Sequence, residues 1–365
     1  MRWKLLATLL LGIAAAVAAA SWWVRVPYAG FHEPVFVDIP KGTGTRGIAR
    51  LLARAGVIEH PLQLLLVRAM HPGTRLKAGE YRFEKPASPW QIFDRIARGD
   101  IFYYALPAPE GNTIFDIAAA LERERIMPAR AFLDAARAPA PIRDLDPKAP
   151  SLEGYLFPDT YRVARHTTAG ELCRMMTERF RKAWQRLEAP QVDMHTIVTL
   201  ASLVEKEARL PEERPVIASV YLNRLRLHLP LQCDPTTIYA ALLENRYRGA
   251  IHRSDLESRQ LYNTYQHAGL PPGPIANPGI ESLRAALHPA DTGFLYFVLR
   301  PDGSGGHEFS KDLAQHDRAV QKYRRGLRKA QQAKGTGRVP GATPPRHRNG
   351  SGAGRAADPA RSHFR

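Results

Sequence analysis

Cysteine is nearly absent from this 365-residue chain: only Cys173 and Cys233 occur, 60 positions apart. That count excludes a disulfide-dense scaffold and any cysteine-rich metal site. The two thiols could pair in an oxidising compartment, but nothing in the sequence requires it. Metal-ligand spacing is missing too, since His288 and His307 have no partner ligands at suitable positions. There is no glycine-rich nucleotide loop, no nucleophile elbow and no internal repeat. No metal and no cofactor are therefore expected. Acidic residues are scarce, 35 against 52 Lys and Arg, for a formal charge of +17. From Lys322 to Arg365, twelve basic residues stand against one acid, Asp358, which leaves about +6 for everything before them. A modestly basic body with a very basic tail lacks the basic stripe on a structured face that nucleic-acid binding needs. Nucleic acid is not an expected partner.

What is present suits a folded protein. A hydrophobic share of 44% and a charged share of 24% allow a real core, and the length allows about two folded units. Arg2 and Lys4 precede an apolar run from Leu5 to Val24, closed by Arg25. Twenty helical residues at about 1.5 Å each span a bilayer's hydrocarbon core. Trp22 and Trp23 lie at its far end, where indoles favour the membrane interface. Ala18-Ala19-Ala20-Ser21 also offers small residues for a signal peptidase. The length and the Trp pair favour an uncleaved anchor, and the N-terminal charges keep that end inside. The rest of the chain is then expected outside the cytoplasm.

The expected fold class is α+β in four parts: a transmembrane anchor over 1–25, a small subdomain over 31–105, a larger mixed α/β domain over 106–330, and a disordered basic tail over 331–365. Glu33 to Pro40 reads as a strand, residues 48–57 and 61–70 as helices, Leu76 to Phe83 as a strand and Ser88 to Arg98 as a helix. This strand–helix–helix–strand order fits a generic α+β module or a glycan-binding module of the LysM kind. Residues 135–150 look like an irregular connection. The tail from about Lys334 holds few large apolar residues and cannot offset its ordering entropy.

One helix, spanning about Val192 to Ala208, carries the sharpest chemical signal. Leu200, Leu203, Val204 and Glu207 fall at i, i+3, i+4 and i+7, so Glu207 continues the apolar face. An inward carboxyl loses water, which favours its protonated form and suits a general acid. Glu205, about 200° away around the helix, and Ser202 are expected on a wetter side. The bland alternative pairs a buried Glu207 with a base such as Arg224, and periodicity leaves both readings open. Asp234-Pro-Thr opens another helix, with Asp234 as a cap. Tyr262 to Tyr265 and the proline-laden loop 269–279 can hold Asn263, Thr264, Tyr265 and Asn277 in place at low entropic cost. Amides, hydroxyls and rings suit sugars, and a rigid structural connection suits them equally. Phe294 to Leu299 and the segment ending at Phe309 form a hairpin, where His307 could orient a carboxylate or simply be structural.

These segments resemble the endolytic murein transglycosylase family, with its YceG-like domain. The matching stretches are Leu152-Glu-Gly-Tyr-Leu-Phe-Pro-Asp-Thr160, Ala201-Ser-Leu-Val-Glu-Lys-Glu207, Tyr221-Leu-Asn-Arg-Leu225 and Leu231-Gln-Cys-Asp-Pro-Thr236. Tyr262-Asn-Thr-Tyr265, Gly269 to Gly279 and Gly305-Gly-His-Glu-Phe309 follow in order. The resemblance places the essential glutamate at Glu207 and makes residues 31–105 LysM-like. It puts Glu153, Asn223, Gln232, Asp234, Tyr262, Asn263, Thr264, Tyr265, Asn277 and His307 at the substrate. It implies cleavage of the β-1,4 bond between N-acetylmuramic acid and N-acetylglucosamine in nascent strands, leaving a 1,6-anhydro end. The partners implied are peptidoglycan strands, with peptidoglycan synthases as candidates, at the inner (cytoplasmic) membrane with the catalytic part in the periplasm. Cys233, where a small polar residue such as Thr is expected, and the basic tail depart from the family pattern. A hydrolytic muramidase using Asp234 and a non-catalytic glycan-binding scaffold are the rival readings.

Overall fold

The computed structural model describes residues 2–188 and 192–335. It divides into two compact units, one of Met1–Ala105 with Arg162–Thr168, the other of Leu106–Tyr161 with the chain from Ala169 onward.

The first unit opens with α1 (Arg2–Trp23). Its stretch Leu6–Trp23 has a mean hydropathy of 1.8 and is long and apolar enough to cross a membrane. At 22 residues it is about 33 Å long. The chain then passes directly into packed structure: Val24 is fully buried and its carbonyl accepts from Trp90 N at 3.1 Å. β1 (Val35–Ile39), α2 (Thr45–Arg54), α3 (Pro61–Met70) and β2 (Gly79–Phe83) follow, then α4 (Pro89–Arg98). β1 and β2 pair antiparallel, Val35 opposite Phe83 and Ile39 opposite Gly79. The expected strand–helix–helix–strand order is therefore present, although the second strand begins at Gly79 and not at Leu76. Ile48 and Leu52 of α2, Leu64 and Val67 of α3, and Ile92 and Ile96 of α4 fall one helical turn apart and meet Val37, Ile39 and Tyr81 in one core. α4 starts on a capping box, Ser88 with Gln91, and ends on Gly99 at φ +75°, the left-handed stop that glycine tolerates.

β3 (Tyr104–Ala108) pairs with β4 (Asp159–Val163). Between them lie α5 (Ile114–Arg123), begun by the Thr113–Asp116 capping box, and α6 (Ala129–Ala136). The second unit continues with α7 (Ala169–Gln185), α8 (Met194–Glu207), α9 (Arg214–Arg226), α10 (Asp234–Leu243), α11 (Arg253–Leu256) and α12 (Ile280–Leu287). β5 (Tyr296–Leu299) and β6 (His307–Ser310) form the expected antiparallel hairpin, and α13 (Leu313–Gly335) packs on it through Ala319 and Val320 against Val298. α8 is the central element, in contact with α9, α10 and α12. Its residues from Val198 to Val204 are all buried, so its apolar surface runs nearly all round and not along one stripe.

One expectation is corrected here. Residues 331–335, assigned to the tail, continue α13, because the hairpin anchors that helix upstream; residues 336–365 lie outside the described residues. The pairing of Cys173 with Cys233, which the sequence leaves open, is absent: both are buried and free.

Candidate active site

Glu207 is the last residue of α8 and is half-buried. It lines a small cavity with Tyr221 and Arg224 of α9, Gln232, and Tyr296 and Phe297 of β5. The cavity's open volume is about 30 Å³, room for a water or two but not for a sugar ring. α8 supplies the carboxyl, α9 the cation and β5 the aromatic wall. Arg224 is only 6% exposed. Its guanidinium donates to the Pro230 carbonyl at 3.0 Å, the Leu295 carbonyl at 3.1 Å and Gln232 Oε1 at 2.7 Å. It also lies over the Tyr296 ring, 5.2 Å from the centroid. Burial lowers the pKa of this arginine from its ordinary value.

The segment after α9 turns sharply beside the cavity. Gln232 has φ +51°, a left-handed conformation rare for a residue with a side chain. It is pinned from two sides: its N–H donates to Thr264 O at 3.2 Å, and its side chain accepts from Arg224. Cys233 N donates to Thr264 Oγ1 at 3.0 Å, and Cys233 Sγ lies 3.5 Å from Glu207 Oε1. α10 starts one residue later with Cys233 in the cap position, so Asp234 is its first helical residue and not the cap. Asp234 Oδ1 accepts from Tyr265 OH at 2.6 Å, and burial together with that carboxylate raises the Tyr265 pKa.

Gln232, Asp234 and Tyr265 thus gather near Glu207, whereas several other expected substrate contacts do not reach a surface. Asn263 and Thr264 are 0% and 1% exposed. Asn263 Nδ2 donates to the carbonyls of Asp255, Leu256 and Ser258, and Thr264 Oγ1 meets Thr236 Oγ1 at 2.9 Å. These two side chains brace the turn that carries Cys233. Asn223 Nδ2 donates to Thr292 O and Phe294 O, tying α9 to the entry of β5. Tyr262 is buried against Tyr239, ring centroids 5.0 Å apart. His307 does not meet Glu207: its Nδ1 lies 2.7 Å from Glu213 Oε2, and its backbone N–H donates to the same carboxylate.

Glu153 and Asn277 form a second buried polar knot. Glu153 is 1% exposed and accepts from Ile114 N at 3.0 Å, at the start of α5, and from Asn277 Nδ2 at 2.9 Å. Asn277 Oδ1 accepts from Gly154 N and Leu156 N, both at 2.9 Å. Burial pushes the Glu153 carboxyl up to about 8 despite these donors. Both residues hold three chain segments together and present nothing to a ligand.

The expectation for Ser202 and Glu205 is reversed. Ser202 is fully buried, and its hydroxyl accepts from Ile275 N at 3.1 Å. The Glu205 side chain is 7% exposed, accepts from Gly279 N at 3.0 Å and lies 3.8 Å from Arg214 Nη2. The proline-laden loop therefore packs on that face of α8 and supports the helix, while α9, residues 231–232 and β5 shape the cavity. Sequence reasoning missed Tyr221, Cys233 and Tyr296 as neighbours of Glu207. Only the family departure at Cys233 pointed to one of them. Among the described residues, no cluster of His, Cys, Asp and Glu could hold a metal ion.

Comparison with known proteins gives this geometry a context. A family model described as the YceG-like family matches residues 37–322. An endolytic murein transglycosylase of Bacillus subtilis is 32% identical over 309 residues, covering 79% of this chain and 84% of that protein. One of Streptococcus pneumoniae is 28% identical over 321 residues, covering 79% of this chain but 58% of that protein. A crystal structure of a yceG-like protein from Listeria monocytogenes is similar with a TM-score of 0.51 at 30% identity, over 79% of this chain and 99% of the other.

Proposed function

The chain belongs to the YceG-like family and is a lytic transglycosylase acting on peptidoglycan, and we propose that it cleaves the β-1,4 bond between N-acetylmuramic acid and N-acetylglucosamine within nascent strands. Glu207 is the single acid/base. Its carboxyl protonates the glycosidic oxygen as the C1–O bond breaks. The resulting carboxylate then takes the proton of the muramic acid's own C6 hydroxyl as O6 bonds to C1, which leaves a 1,6-anhydro end. The observation that carries this reading is Glu207's place in a lined cavity at the end of a buried helix. The last turn of a helix has negative potential, which disfavours a bare carboxylate and suits an acid that must hold its proton. The cavity itself is too small for a sugar, so the glycan lies across its mouth.

Hydrolysis by two carboxylates is the competing chemistry. Asp234 is the second carboxylate it would use, and Tyr265 OH already engages it. Mass spectrometry of the products from isolated glycan strands separates the two. The proposal expects ends lighter by one water than hydrolytic ends; fully hydrated reducing ends would refute it.

α1 is proposed as a single-pass anchor in the inner membrane, with Arg2 and Lys4 on the cytoplasmic side and both units in the periplasm. The strand–helix–helix–strand order of the first unit supports a LysM-like, glycan-holding role. A substrate of nascent strands makes peptidoglycan synthases the partners to test, and the basic tail is suited to anionic lipid or wall polymer.

A further inference from the structure

Cys233 stands beside the carboxyl group assigned to catalysis, and the backbone is bent into a costly shape to put it there. A non-glycine residue at φ +51°, such as Gln232, persists only where its surroundings over-determine it. Here the Arg224 guanidinium, Thr264 O and Thr264 Oγ1 do so, through Gln232 Oε1, Gln232 N and Cys233 N. The product of these constraints is a thiol 3.5 Å from Glu207 Oε1, on a residue only 2% exposed. We infer that Cys233 is a positioning residue for the reaction: its S–H donates to Glu207 Oε1 and fixes the rotation of the carboxyl that carries the catalytic proton. The inference rests on the reading of Glu207 as the acid/base.

The thiol proton stays on sulfur throughout. Burial, and next the charge of Glu207, hold the thiol pKa well above its ordinary value, so sulfur keeps its hydrogen at working pH. A thiol is a weak donor. It steers the carboxylate while stabilising it less than a hydroxyl would, so less proton affinity is lost. The titratable and charged groups around Glu207 are Tyr221 and Arg224 of α9, Cys233, Asp234 at the start of α10, Tyr265, and Tyr296 of β5. None of the others changes in the variants below.

The test is the pH dependence of kcat and KM on isolated glycan strands, with the full-length protein in mild detergent, for wild type, Cys233→Ala, Cys233→Ser and Glu207→Gln. A donor to the carboxylate lowers its proton affinity. Removing it in Cys233→Ala moves the alkaline limb of the profile to higher pH, and strengthening it in Cys233→Ser moves that limb lower, each by about half a unit. Cys233→Ala also loses roughly tenfold in kcat with KM unchanged, because orientation and not binding is lost. Cys233→Ser retains most of the rate. Limbs that stay in place, or that move in the same direction in both variants, overturn the inference. If Cys233→Ala fails to fold, the near-isosteric Cys233→Ser decides alone: a downward shift supports the inference and an unmoved limb overturns it. Activity retained by Glu207→Gln removes the underlying reading itself, a separate result.

Discussion

Glu153 offers a prediction whose size follows from the structure. Its carboxyl is 1% exposed and its pKa is pushed from an ordinary 4.5 up to about 8 by burial. Between those two values the native protein holds a proton that the unfolded chain has released. The native state thus binds more protons, and stability falls as pH rises through this window, levelling off above about 8. One pKa unit corresponds to about 1.4 kcal/mol, and the acid is already partly ionised at pH 7.5, so from pH 5.5 to pH 7.5 this group alone withdraws roughly 2.5 kcal/mol. Glu153→Gln imitates the neutral acid at every pH. Its amide oxygen can still accept from Ile114 N or Asn277 Nδ2, although the amide nitrogen must face one of the former donors. Whatever the two stabilities are at pH 5.5, the difference in unfolding free energy moves in the variant's favour by about 2.5 kcal/mol over those two units. Denaturant unfolding followed by tryptophan fluorescence, on both proteins at matched pH values, measures this directly. Parallel stability curves over that range would refute the reasoning, because they would mean that Glu153 is ionised in the native state.

Asn277→Ala leaves Gly154 N, Leu156 N and the Glu153 carboxyl without their shared partner, at a cost on the order of 3 kcal/mol or more, read as a lower denaturation midpoint. Its rate per folded molecule stays close to wild type, since Asn277 is buried away from the cavity. Cys173 and Cys233 are 1% and 2% exposed, and burial raises the pKa of both thiols. A thiol-reactive chromophore therefore titrates neither in the native protein and both after denaturation; prompt native labelling would contradict their placement.

The sequence disclosed the parts of this molecule that obey a period. The spacing of Leu200, Leu203, Val204 and Glu207 gave a helix over 192–208, and the structure has Met194–Glu207 with that carboxyl at the lined cavity. Ile48 with Leu52 and the alternation of Val35, Val37 and Ile39 likewise predicted α2 and β1. Period reasoning failed where a helix is buried on every side. Glu205 and Ser202 lie off the Glu207 face, where periodicity predicts water, but the loop 269–279 covers them. Composition reasoning failed in the loops. An amide in a stiff loop satisfies a sugar or a backbone carbonyl equally well, and Asn263 and Asn277 were each taken by the backbone, as buried polar chain demands. Contacts such as Glu213 with His307, 94 positions apart, and the left-handed turn at Gln232 leave no local trace in the sequence.

The account as a whole turns on the carboxyl at position 207. Purified full-length protein and Glu207→Gln are incubated with uncrosslinked glycan strands, and the anhydro-ended fragments are counted by liquid chromatography with mass detection. The variant is expected to unfold at the wild-type midpoint yet to release at least about a hundredfold less anhydro product, the loss expected when general acid/base catalysis is removed. Anhydro ends formed by the variant at a rate near wild type would contradict it.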